Sequence, residues 1–310
     1  MANDPESDTR LRMAAVQHVR RVASAGVLTS DDLNAGFVVD GKRIPLVNPQ
    51  RGIFKPAAMR HLLSIRTVYP VPGKRVWYDD QRQVHEQIER GDEMIDYAFM
   101  GNDPHAADNR WLREAFEGQV PVIYFLGVAP QRYIANWPTY IVDWSAYALK
   151  ARLAFTAPAA TGFHESPPVA PERRYGLQLV RTRLHQATFR EAVLTAYGQR
   201  CAMSGLPEPR LIDAAHIMGD QDEALGQPLV TNGLPLTKFH HAAFDANLIG
   251  IDPDFRIHVG DELLSINDGP MFEHGIKAIA GTTLHLPKRS IDYPDRDRLA
   301  ARFEEFRARQ

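Results

Sequence analysis

The sequence predicts an α+β chain of two domains: an N-terminal curved sheet with flanking helices, then a second domain built around a small hairpin and helix. Three observations carry this. A length of 310 residues is enough for two cores. Short strand-like runs separated by turns, with few helices between them, fill much of the first half. A stretch at 156–172, TAPAATGFHESPPVAPE, has four Pro in seventeen residues and reads as a semi-rigid linker. The expected domains are therefore 1–155 and 173–310.

Residues 8–24 carry apolar side chains at helical spacing with paired arginines, an amphipathic helix. Strand-like runs follow: GFVVDGKRIPLV, SIRTVYPV, EMIDYAFM, VPVIYFLGV and TYIVDW. Residues 109–116 predict a short helix. Residues 121–128 are nearly all apolar, with β-branched and aromatic members, and predict the central strand. In the second half, 181–200 predicts a helix whose Phe189, Val193 and Leu194 face a core. FRIHVGDELL (255–264) predicts a hairpin that extends the second domain's sheet, and 297–309 a charged C-terminal helix.

Composition is that of a soluble globular protein. A single cysteine excludes a disulfide framework within the chain and a four-cysteine zinc knuckle, leaving Cys201 as a buried packing residue. The segment MANDPESDTR has no apolar h-region, and no twenty-residue apolar run occurs, so no membrane partner and a cytoplasmic location are expected. The net charge of −2 hides strong segregation. Residues 10–75 hold twelve Lys/Arg against three Asp/Glu, 76–118 hold eleven acids against four bases, and 173–200 hold six Arg and one Glu. Clustered positive charge, not whole-chain charge, is what binds phosphate.

Chemistry concentrates in CAMSG, IDAAHI and NGLPLTKFHHAAFDANLIGID, between 201 and 251. Residues 211–217 form a short, mostly apolar run carrying His216 near its end. A His there suits a general base, since its ordinary pKa lies near neutrality. Asn232-Gly233 is a turn signal. The following run reads as a helix on which His240 and Phe244, and His241 and Asp245, make i,i+4 pairs. Asn247 reads as a left-handed residue closing that helix.

These residues, in this order, resemble the ββα-metal (HNH) endonuclease family over about fifty residues. The resemblance implies hydrolysis of a phosphodiester with one divalent metal per site, Mg²⁺ or Mn²⁺. It implies that His216 takes the proton from water and that Asn232 braces the loop between the strands. The third motif residue binds the metal. The register H-x-x-x-F-D gives His240, which we take first, and C-x-x-C-H gives His241, which we keep beside it. Relatives often carry an acidic ligand directly before the base, where this chain has Ala215, so Asp213 is the substitute. One metal and one strand cut per site imply a homodimer for a double-strand break.

RGIFKPAAM, LLSIRT, DYAFMGNDPHAADNRWLREA and PVIYFLGVAPQRYIANWPTYIV resemble the SRA-like, PUA-superfamily sensor domain of bacterial HNH proteins, over roughly 35–150. That resemblance implies a reader that flips a modified cytosine, 5-methylcytosine or 5-hydroxymethylcytosine, out of double-stranded DNA. Such a pocket needs aromatic faces and a carboxylate for the exocyclic amine. Tyr78 with Asp79 and Asp96 with Tyr97 are the candidates, although alternation sets Asp96 and Tyr97 on opposite strand faces. Arg51, Lys55, Arg60, Arg66, Arg181 and Arg183 are expected to contact the DNA backbone. The combined expectation is a modification-dependent restriction endonuclease. Its rivals are an HNH enzyme reading phosphorothioate DNA, unmodified sequence or RNA, and a non-catalytic nucleic-acid binder. His258, His274 and His285 lie outside the motif and are expected to be structural or surface residues.

Overall fold

A computed structural model of the chain describes residues 5–23, 26–69, 80–156, 169–219, 221–222, 224–267 and 269–310. It divides into two compact units, Met1–Ala187 and Thr188–Gln310. Among the described residues no helix is long and apolar enough to cross a membrane.

In the first unit, helix α1 (Pro5–Val22) buries Leu11, Ala15, Val16 and Val19, spaced three and four apart as an apolar stripe requires. Two polar residues share that buried face, and each bonds to backbone. Asp8 accepts hydrogen bonds from the backbone N–H groups of Arg60 and His61, and Arg12 donates to the Leu62 carbonyl at 2.7 Å. Burial pushes the Arg12 guanidinium down to about 10. Strand β1 (Val27–Thr29) runs into α2 (Ser30–Ala35) through a capping box between Thr29 and Asp32. The strand-like run GFVVDGKRIPLV divides into two strands, β2 (Phe37–Val39) and β3 (Lys42–Ile44), which pair as a hairpin.

The main sheet collects β4 (Ile53–Phe54), β5 (Ser64–Thr67), β6 (Ile95–Ala98), β7 (Val122–Ala129), β8 (Arg132–Ser145) and β9 (Lys150–Phe155). Their order is β4-β5-β7-β8-β9-β6, with β1 beside β8. Among the described residues only β5–β7 is parallel, and the sheet curls into a half-barrel. The expected central strand is interior and buried on both faces. Val122, Tyr124, Leu126 and Val128 enter one core, Ile123 and Phe125 the other. Helices α3 (Asp80–Arg90) and α4 (Ala107–Glu117) complete the connections. Helix α5 (Ala170–Ala196) begins inside the stretch read as a linker, of which 157–168 lie outside the described residues.

In the second unit, the C-terminal turns of α5 place Phe189, Val193 and Leu194 in the core, as expected. Strands β10 (Ile212–His216) and β11 (Gly233–Thr237) pair antiparallel, and α6 (Lys238–Asp245) follows directly. The Asn232-Gly233 step is not a two-residue hairpin turn. Residues 217–232 join the strands, Asn232 ends a short 3-10 segment, and Gly233 is extended with φ −128. FRIHVGDELL is likewise not one hairpin. Its FRIHV part supplies β13 (Ile257–Val259), which pairs with β12 (Ile249–Ile251) in a separate sheet, while α7 (Asp261–Ser265) takes up the rest. Gly260 precedes acidic Asp261 and Glu262, which favour a helix start over a second strand. Helices α8 (Gly269–Gly275) and α9 (Arg296–Arg307) close the chain. Asn247 has φ 57 and ends α6 as expected.

Candidate active site

His216 is the last residue of β10 and stands opposite Gly233 of β11. Its imidazole is half-buried and stacks on Phe189, with ring centroids 4.1 Å apart and planes 10° apart. The strand end puts the imidazole where the ladder stops and a loop begins.

Asn232 holds that loop. It is completely buried. Its Oδ1 accepts from the Met218 N–H at 3.0 Å, and its Nδ2 donates to the Met218 and Gln227 carbonyls, each at 3.0 Å. Its own carbonyl accepts from the Ile217 N–H at 2.9 Å. The backbone just after His216 is thus tied on both sides to Asn232. A second layer comes from α9. Arg298 donates to the Leu225 carbonyl at 2.7 Å and to Gln227 Oε1 at 2.6 Å, and Asp295 caps α9 while its N–H reaches the Thr231 carbonyl.

On α6 the two histidines part company. His240 is buried, and both ring nitrogens have partners, Cys201 Sγ at 3.6 Å and the Gly275 carbonyl at 2.8 Å. Burial pulls its imidazole down, but the bonds to Cys201 and Gly275 outweigh this and raise it above its ordinary value. Burial also pushes the Cys201 thiol up, yet hydrogen bonds from His240, Ser204 and Thr237 bring it down to about 7. Cys201 is therefore buried as expected, but as half of a polar pair. His241 is about a quarter exposed, and its Nε2 lies 3.3 Å from Asp245. Arg302 lies over the Phe244 ring and donates to the Phe244 carbonyl at 2.9 Å, fixing the end of α6.

Asp213 is part-exposed, with Arg190 Nε 3.6 Å from its carboxylate. Arg190 is buried and also donates to Glu191 and to the Pro209 and Ile212 carbonyls. Among the described residues no group of three or more His, Cys, Asp or Glu side chains comes together to hold an ion. Part-exposed donors on these elements are His241 and Asp245 of α6 and Asp213 of β10.

Of the N-terminal pocket candidates, the two described ones, Asp96 and Tyr97, diverge. Tyr78 and Asp79 lie outside the described residues. Tyr97 is core, its hydroxyl donating to the Arg66 carbonyl, and Asp96 is ion-paired with Lys150 at 2.6 Å and Arg152 at 3.4 Å. The opposite faces of the pleat explain why they diverge. Several expected DNA contacts are engaged within the fold. Arg51 pairs with buried Asp108, Lys55 donates to the Met59 and Arg60 carbonyls, and Arg66 to those of Asn48 and Pro49. Arg60 is exposed, Arg181 lies 3.8 Å from Glu89, and Arg183 is half-buried. Sequence reasoning missed Arg190, Arg298 and Arg302. Only Arg190 carries a signal, as the residue beside a core Phe in the helix leading into the motif.

The segment thus comprises a strand ending in His216, a loop braced by Asn232 and a helix carrying His240 and His241. Residues 201–252 match the HNH endonuclease family and form an HNH endonuclease domain, that of a DNA-cleaving hydrolase. Among solved structures the chain is similar to the modification dependent TagI restriction endonuclease, at 14% identity and a TM-score of 0.32, covering 83% of this chain and 86% of that one. No curated protein matches the chain.

Proposed function

We propose that this chain is a modification-dependent DNA restriction endonuclease, cutting with its HNH domain and directed by its N-terminal domain. The observation that carries the nuclease half is the brace of Asn232 on the backbone that follows His216. In this reading His216 takes the proton from the attacking water, and Asn232 keeps the base at the mouth of a rigid loop. His241 and Asp213 hold the divalent ion. His241 is preferred to His240 because both nitrogens of His240 already serve Cys201 and Gly275. When bound, that ion stabilises charge on the phosphate and on the leaving oxygen. Arg190 sets the position of the Asp213 carboxylate. The product carries a 5′-phosphate, and two copies act together on duplex DNA.

The reader half rests on the resemblance of residues 35–150 to SRA-like domains. Residues 1–155 recognise a flipped 5-methylcytosine or 5-hydroxymethylcytosine, and 156–172 link them to the nuclease. One long DNA, prepared unmodified and cytosine-methylated and incubated with Mg²⁺, Mn²⁺ or EDTA, tests both halves. Metal-dependent cutting of the methylated DNA alone is the expected result. Equal cutting of both removes the modified-base reader. No cutting of either, with binding retained, leaves a nucleic-acid binder.

A further inference from the structure

We propose that one flank of α5 is a DNA-backbone docking strip, covered by the protein's own carboxylates until phosphates replace them; this rests on reading the chain as a DNA endonuclease. The strip brings together two segments of opposite charge, the acidic 76–118 and the basic 173–200. Arg174, Arg181 and His185 are seven and four residues apart, so they line one flank of the helix, with Arg173 beside them. Two acids of the same unit reach that flank. Glu93 lies 2.5 Å from Arg174 and 3.7 Å from Arg173, while Glu89 of α3 lies 3.1 Å from His185 and 3.8 Å from Arg181.

Two observations separate a cover from a structural clasp. The first is anchorage. Leu177, Val180 and Leu184 of α5 are buried in the same core cluster as Val84 and Ile88 of α3, so apolar packing already fixes the helix. Ion pairs at the solvent-exposed rim add little to that. The second is unspent donors. Glu93 is divided between two arginines, and Glu89 between Arg181 and His185. Only Nε of Arg174 bonds to Glu93, and the Arg181 pair is too long for a hydrogen bond. A guanidinium has five N–H donors, so both arginines keep most of theirs for another anion. A phosphate oxygen suits them as a carboxylate does, and DNA presents a row of phosphates. Such contacts carry no sequence information; the strip positions the duplex.

The test is binding of an unmodified duplex by the full chain across a range of salt, in EDTA to prevent cutting. Glu89→Gln together with Glu93→Gln is expected to tighten binding about tenfold at low salt, since two exposed pairs no longer compete. Adding Arg174→Gln and Arg181→Gln to that protein should remove the whole gain. It should also make the slope of log affinity against log salt shallower by about two, one for each lost phosphate contact. A gain that survives loss of the arginines is long-range charge alone and overturns the proposal. So does acid-free protein that binds as wild type does, whatever its urea midpoint. Should the double variant not fold, Glu89→Gln alone carries the same comparison against Arg181→Gln. Wild-type protein that binds no duplex at any salt removes the DNA reading itself, and the strip with it.

Discussion

The seven-stranded sheet and the β10–β11 hairpin both place polar side chains among buried apolar ones, but what those groups hold differs. In the large sheet, β7 is covered on both faces, and side chain meets side chain where the Tyr124 hydroxyl donates to Thr67 and Asp96 takes Lys150, while the Tyr97 hydroxyl donates to the Arg66 carbonyl of β5. Around the hairpin, the polar groups concentrate on the backbone of one loop and its flanks. Asn232 holds Met218 and Gln227, Arg190 holds Pro209 and Ile212, and Arg298 holds Leu225. The first arrangement stabilises a sheet. The second leaves two strands and a loop rigid enough to carry an imidazole at their end, which a fifty-residue motif has too small a core to do by apolar packing alone.

The sharpest way to break this comparison lies on α6, where adjacent histidines fall on either side of it. His241→Ala is expected to cut cleavage by about a hundredfold or more while leaving the urea midpoint unchanged, because its ionic partner is the exposed Asp245. His240→Ala should do the reverse. It strips the partner from Cys201 and from the Gly275 carbonyl, costing about 1–3 kcal/mol, while protein that remains folded keeps its turnover. If His240→Ala instead abolishes metal-dependent cutting at full stability, the assignment on α6 is inverted.

Next in size is a matched pair of isosteric changes. Asn232→Asp puts a carboxylate, which cannot donate, against two carbonyls in a site with no solvent. It is expected to cost about 3 kcal/mol and to silence cleavage in proportion to lost fold. Asp96→Asn loses ion pairs to Lys150 and Arg152, whose side chains are 33% and 41% exposed, so the expected cost is below about 1 kcal/mol. Denaturant titration of both variants decides the matter, and equal costs would erase the distinction between the two regions.

This difference also governs what could be read from sequence. The HNH stretch was legible because its order and spacing are local: His216, Asn232 and the α6 pair lie within one short stretch, and apolar residues between them fix the elements. The register of α6 was not legible, since His240 and His241 both fit helical spacing, and only the burial of Cys201 against His240 separates them. Strand β7 was legible from its apolar run. Helix α3 was missed because its buried stripe is little more than Val84 and Ile88 in a polar sequence. Strand β9 was missed because KARLAF runs into an Ala- and Pro-rich segment that masks its alternation. Arg298 left no trace at all. Its partners, Leu225 and Gln227, are set by folding α9 back over the loop, which no local pattern encodes.

Arg298→Met sharpens the comparison at lower cost. It keeps the apolar stem and removes the donors to Leu225 and Gln227, for an expected loss of about 1–3 kcal/mol. Hydrogen exchange gives the finer readout. The Met218 amide, bonded to Asn232, should lose protection, while amides of β7 keep theirs. Loss of protection at both would mean that the brace is not local to the nuclease loop.

The smallest effect concerns pH. The Cys201 thiol is brought down to about 7 from an ordinary 9.0, so its contribution to stability is complete above 9, declines as pH falls, and is gone below about 7. His240 runs the other way: raised above 6.5, its contribution is complete below 6.5 and lost as pH rises through its folded value. From about 7 to 9 the cysteine contribution rises with pH. The stability difference between wild type and Cys201→Ala, taken from urea midpoints, should grow with pH across that window. A difference that stays flat or shrinks would mean that the buried pair is held as neutral thiol and imidazole, and that the hairpin region is stabilised by packing after all.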